Sequence, residues 1–270
     1  MLTDLQQQDR QKVVTALNVL VRFLAVRDVL VLTNRLELKQ ILKTDDQLDV
    51  LILFGGSILE GARTFHDAIL AKAARHFMIV GGYGHTTYFL NQQMKKHGFD
   101  FAEATSEAEM FQGYLLEKYG DRVNLVETES TNCGNNITYA LNLLDQQRIE
   151  PHSIGFIQEG SMQRRMDAGF RKFAPGVTLV NYAAEQVKFI LRAGQIGYKQ
   201  NVDGMWSLDS CLSLIMGEIP RLCDNSQDYG PNGANYIAHV AVPQEVLAAY
   251  NYLAKVLPVT NRTANSKFRS

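Results

Sequence analysis

"DVLILFGG", residues 49–56, decides how this chain folds. Five consecutive apolar side chains, Val50 to Phe54, run straight into two glycines. A strand with one solvent face alternates apolar and polar residues, so an unbroken run predicts a strand covered on both faces. The pattern returns at "HFMIVGG" (76–82), with a helical stretch, 60–75, between the two. Weaker versions follow at "VNLVE" (123–127), "SIGFIQ" (153–158) and "TLVNY" (178–182), separated by helical stretches at 87–97, 105–120, 132–148 and 161–173. Strand–helix alternation of this kind predicts an α/β protein with a doubly wound, mainly parallel five-stranded sheet.

Outside this alternation the pattern turns helical. Val13, Leu17, Leu20, Val21 and Leu24 share one helical face. Residues 184–225 read as helical and 224–235 as a polar loop. A last helix is expected over Gln244–Val256, with a polar tail to Ser270. The expected organisation is a core of residues 46–183 with a smaller α-helical annex built from 1–45 and 184–270.

Composition narrows the function classes. Of the 270 residues 46% are hydrophobic, and the net charge is −1, so no basic footprint points to nucleic acid. Cys133, Cys211 and Cys223 form neither a disulfide framework nor a metal knuckle, and suit a reducing compartment. The polar start "MLTDLQQQDRQ" lacks a signal peptide's layout, and the early apolar run Val13–Val21 is too short to span a bilayer. A cytoplasmic protein without a membrane span is expected, and the sequons at Asn136 and Asn261 carry no weight there.

Ligands of open α/β sheets bind beyond the carboxyl ends of the strands. The residues placed there are Gly55, Gly56 and Ser57; Gly81, Gly82, Tyr83, Gly84, His85 and Thr86; Glu129 to Gly134; and Gln158 to Arg165. Gly81, Gly82 and Gly84 suit either a tight turn or close backbone approach. They match neither a phosphate-binding loop nor a dinucleotide fingerprint. His85 is open to two readings, a base or ligand contact and a polar residue at a helix start. Ser106 and Glu109 form a capping box, which leaves Glu107 as the uncommitted carboxylate. Ser130 or Thr131 is expected to cap the next helix, while Asn132, Asn135 and Asn136 crowd its start beyond what capping needs. Cys133 reads as a small buried side chain. Arg164 and Arg165 open a helix, where the macrodipole disfavours cations; one of them is expected to meet an anion.

Together "GGYGHTT" (81–87), "EAEM" (107–110), "ESTNCGNN" (129–136), "MQRRM" (162–166), "GEIPRLCDNSQDYGPNG" (217–233) and "HVAVPQEV" (239–246) resemble the YdcF-like branch of the bacterial DUF218 family, whose membrane-anchored relatives include SanA and ElyC. The resemblance spans most of the chain. It implies a Rossmann-like core with a smaller helical part and binding of S-adenosylmethionine, with no assigned reaction. Arg165 matches the family arginine. Met162 stands where the wider family has a histidine, and Asn135 where it has a glutamate, which removes a carboxylate from that position. The expected ligand is therefore S-adenosylmethionine or a similar adenosyl compound, bound without metal. Its carboxylate suits backbone N–H groups at Gly82–Gly84, and its ribose and ammonium suit Glu107, Asn132 and Asn136. The expected site comprises the strand-end glycines with Ser57, Tyr83, His85, Thr86, Glu107, Ser130, Thr131, Asn132, Asn136, Gln163 and Arg165. An enzyme using this ligand and a non-catalytic sensor both fit. From a different class, so does a metal-independent hydrolase or transferase acting on phosphorylated or envelope-precursor substrates.

Overall fold

The structure, a computed structural model, describes residues 7–43 and 45–257. The expected tail to Ser270, with its sequon at Asn261, lies outside the described residues.

Along β1 (Leu48–Phe54) the side chains leave the backbone alternately. Leu51 and Leu53 enter one apolar cluster, while Val50, Ile52 and Phe54 enter another. Both faces need cover because β1 is the middle of a parallel sheet. Its partners are β2 (Ala74–Val80), β3 (Leu125–Glu127), β4 (Ser153–Gln158) and β5 (Thr178–Ala183), in the order β3-β2-β1-β4-β5. This is the doubly wound α/β fold that the strand pattern predicts. Helices α3 (Glu60–Leu70), α4 (Thr87–Lys96) and α5 (Glu107–Tyr119) supply Phe65, Leu90, Phe111 and Tyr114 to the first cluster. On the opposite face, α6 (Cys133–Gln146) and α7 (Gln163–Phe173) contribute Ile137, Leu144, Met166 and Phe170. Each such fully buried side chain stabilises the fold by roughly 1.5–3 kcal/mol before entropy is subtracted.

Helix α1 (Gln7–Leu24) packs with α8 (Leu208–Leu222) and α9 (Gln244–Val256) around a third apolar cluster. The segment after α1 then covers the β5 edge: the Asp28 N–H donates to the Asn181 carbonyl and the Ala183 N–H to that of Val26. A covered edge cannot recruit a foreign strand. The next helix, α2 (Arg35–Leu42), falls within the 1–45 stretch expected to be helical; its Leu38, with Val29 and Leu32, joins the cluster on the sheet.

Two readings need correction. The stretch 184–225 is not helical throughout, because β6 (Phe189–Arg192) and β7 (Gln195–Tyr198) form an antiparallel hairpin. Ala193 and Gly194 both have positive φ, 50° and 75°, which suits the right-handed twist of a two-residue hairpin turn. The Asn18 amide of α1 holds the hairpin, donating to the Phe189 carbonyl and accepting its N–H at 2.9 and 2.8 Å. The helix expected over 60–75 stops at Leu70, since Lys72 turns left-handed (φ 51°) and releases Ala74 and Arg75 to β2. Among the described residues no helix is long and apolar enough to cross a membrane.

Candidate functional site

Because β1 and β2 are adjacent and parallel, their glycine turns lie side by side at the carboxyl edge. The carbonyls of Gly81 and Gly82 accept the N–H groups of Ala108 and Glu107 at 2.8 and 3.0 Å. That docks the first turn of α5 onto the end of β2. The capping box forms as expected: Ser106 Oγ accepts the Glu109 N–H, and Glu109 accepts the Ser106 N–H. Glu107 is left to point inward. Its Oε1 accepts the hydroxyls of Thr86 and Thr87 at 2.6 and 2.9 Å, and the residue is only 6% exposed. Burial pushes its pKa up to about 7 against the pull of the two hydroxyls, and Glu159 adds repulsion.

The glycines serve this packing. A Cβ on Gly55 would lie 2.1 Å from Glu107 Oε2, and one on Gly82 only 2.2 Å from the Ser130 carbonyl oxygen. The close approach expected at these turns is thus made by the protein's own groups. The N–H groups are likewise engaged: Gly81 donates to the Glu127 carbonyl, Gly82 to Ser130 Oγ at 3.2 Å and Gly84 to Thr87 Oγ1 at 2.7 Å.

Between β1 and β4 the strand order reverses, and this switch point is where such folds open a crevice. Glu159, directly after β4, reaches across it. Its Oε1 accepts the Ser57 N–H at 2.5 Å and the Ser57 hydroxyl at 3.2 Å, while Oε2 accepts the Trp206 indole N–H at 3.0 Å. Glu159 is 4% exposed, and burial raises its pKa. The turn after β1, where related sheets hold a ligand's anion on backbone N–H groups, is here filled by a side-chain carboxyl group. Sequence reasoning placed Glu159 only within the strand-end stretch and gave it no role. The available signal was an acid immediately following the wholly buried strand "SIGFIQ".

The β3–α6 loop is held by Glu127, whose carboxyl accepts the N–H groups of Glu129 and Ser130. Asn132, not Ser130 or Thr131, caps α6: its Oδ1 accepts the Asn135 N–H at 3.0 Å. Ser130 is diverted to Gly82, and Thr131 donates to Asn135 Oδ1. The crowding amides thus build the helix start. Asn136 lies half-buried in the first turn of α6.

Gln163 is fully buried and turned into the fold, its amide accepting the Gln158 N–H and donating to Asn181 Oδ1, both at 3.1 Å. Arg165 meets an anion, supplied by α8: Nε and Nη2 donate to the two Glu218 oxygens at 2.6 and 3.1 Å. Arg221 shares the same carboxylate at 3.2 Å. Arg164 points elsewhere, over the Phe23 ring. Cys133 lies half-buried within electrostatic reach of Glu107 and also of Arg165, Glu218 and Arg221, and desolvation raises its thiol pKa.

An aromatic row borders this edge. Phe89 meets Trp206 edge-on at 4.9 Å and Tyr88 at 5.6 Å. Tyr83, Tyr88 and Phe89 are exposed, and His85 lies half-buried between the glycine turn and α4. The edge therefore combines buried carboxyl groups, two arginines sharing one carboxylate, and exposed ring faces. Among the described residues no group of three or more His, Cys, Asp or Glu is arranged to hold a metal ion. No protein-family model matches the chain, so a functional reading rests on this edge itself.

Proposed function

We propose that the chain binds S-adenosylmethionine, or a closely similar adenosyl compound, at the carboxyl edge of the sheet, as the YdcF-like resemblance implies. The observation that carries this reading is the Glu159 carboxyl group taking up the Ser57 N–H and hydroxyl in the turn after β1. A slot already occupied by a carboxyl group disfavours a phosphate. With Glu107 buried nearby, it favours a cation, and S-adenosylmethionine carries a sulfonium and an ammonium. Its carboxylate suits the two guanidinium groups that share Glu218, in place of the Gly82 and Gly84 N–H groups, which are engaged. Its adenine suits the exposed faces of Tyr88 and Phe89. Product formed from labelled S-adenosylmethionine would distinguish an enzyme from a non-catalytic sensor.

Calorimetry tests the reading. Binding of S-adenosylmethionine is expected without added Mg²⁺, with ATP much weaker. Affinity should rise with pH through about 7 as Glu107 ionises. Glu107→Gln should cost about tenfold or more in affinity, the value of one charge-assisted hydrogen bond. Tight, Mg²⁺-dependent ATP binding with no S-adenosylmethionine signal would overturn the proposal and favour a phosphorylated substrate.

A further inference from the structure

On the annex side of Glu159 a second carboxyl group is buried. Glu185 follows β5, and its Oε1 accepts the Gly160 N–H at 2.8 Å. Its Oε2 is inaccessible and has no hydrogen-bond partner among the described residues, and the same holds for Ser161 Oγ. Both residues line one small cavity where α1, the loop after β4 and α8 meet. Leu24, Ala25, Trp206 and Cys211 supply further wall. The cavity volume is about 20 Å³, which suffices for roughly one or two heavy atoms.

An unpartnered buried carboxyl oxygen is costly whether ionised or protonated, since either form leaves a strong polar group unanswered. A carboxyl group on the wall excludes an anion. A hard metal cation asks for six or more oxygen ligands, and this wall offers two unengaged ones. A nitrogen with several N–H donors matches the pair better, and the apolar wall suits a short alkyl stem. We infer that this cavity is a binding site for an ammonium group with at least three N–H donors, held by Glu185 Oε2 and Ser161 Oγ. The group is either free ammonium or the charged end of a small amine.

Among the described residues, the titratable or charged groups that act on Glu185 include Glu159 from the loop after β4, Arg27 from the segment after α1, Tyr198 from β7 and Cys211 from α8. Arg27 donates to the Ala183 and Ala184 carbonyls rather than to Glu185. Burial first, and Glu159 second, hold the Glu185 carboxyl well above the usual range. A bound cation therefore competes with a proton, and binding tightens as pH rises.

The test is the melting temperature of the full chain in ammonium, methylammonium, sodium and tetramethylammonium chlorides at equal ionic strength. A saturable rise is expected with the first two only, stronger at about pH 8 than at about pH 6. Tighter binding of ammonium identifies the free ion as the occupant, and tighter binding of methylammonium an amine. Glu185→Gln should weaken the response on the order of tenfold or more, and Ser161→Ala, which keeps the carboxyl group, roughly tenfold. Equal effects of all four salts would mean that the cavity holds only water, and would overturn the inference. So would a saturable response that both variants leave unchanged. The inference does not depend on the S-adenosylmethionine reading: Glu107→Gln should impair that binding and leave the ammonium response intact.

Discussion

At the amino end of the sheet acidic side chains meet bases; at the carboxyl end Glu107, Glu159 and Glu185 meet hydroxyls, N–H groups and one another. Asp45 and Asp49 both pair with Arg75, and Asp49 Oδ2 also accepts the N–H groups of His152 and Ser153 at 2.9 and 3.0 Å. The Arg75 hydrogen bond holds Asp45 below the usual carboxylate range. For Asp49 burial works the other way, but the N–H groups and Arg75 outweigh it. Burial shifts all three glutamates upward. The same residue class thus ties strands together at one end and stores unspent electrostatic demand at the other. Stored demand is what a ligand can satisfy.

The largest expected effect tests the carboxyl-end acid that does have bases. Arg165→Ala leaves Glu218, 3% exposed, with Arg221 alone. Breaking a buried pair typically costs 3–5 kcal/mol, and with Arg221 remaining the expected loss is about 3 kcal/mol by urea unfolding. An unchanged unfolding midpoint would show that Arg165 serves ligand and not fold.

Next is the pH dependence. Glu107 holds its proton more tightly folded than unfolded, so its contribution is complete below about pH 4.5 and is lost as pH rises to about 7. That interval corresponds to ~3 kcal/mol at most, at roughly 1.4 kcal/mol per pH unit. Asp45 and Asp49 have the opposite sign: their contribution is present above the unfolded pKa and lost as pH falls below it. The two ends together place maximal stability on the acid side of neutrality. Glu107→Gln should flatten the decline between about pH 4.5 and 7 in unfolding curves measured across that range. A decline as steep as before would detach Glu107 from it.

The smallest effect is at the amino end. Arg75 is half exposed, and Arg75→Ala should cost below about 1 kcal/mol, shrinking further in salt. A larger, salt-insensitive loss would erase the contrast between the two ends.

The strands were legible because burial on both faces writes itself as unbroken apolar runs. The capping box at Ser106 and Glu109 was legible because it is local in sequence. The hairpin was not, since "FILRAGQIGY" carries as much apolar character as a helix, and only the left-handed pair Ala193–Gly194 separates the two. The strand-end loops could be located, but not the partners of their side chains. Glu218 lies 53 residues from Arg165 and Glu159 lies 102 from Ser57. Nothing local records such pairings, so an arginine awaiting an anion and a glycine awaiting a ligand look the same as ones already satisfied.

Trp206 is the chain's single tryptophan, and its indole N–H is tied to Glu159 at the switch point. Indole emission responds to the charge and hydrogen bonding around the ring, so the protein carries its own optical reporter at the place where occupancy matters. Anything that draws on the Glu159 carboxyl group, from a proton to a ligand's cation, changes the light from one known position. Titrations can therefore be followed in the unlabelled chain, with no other indole contributing to the signal.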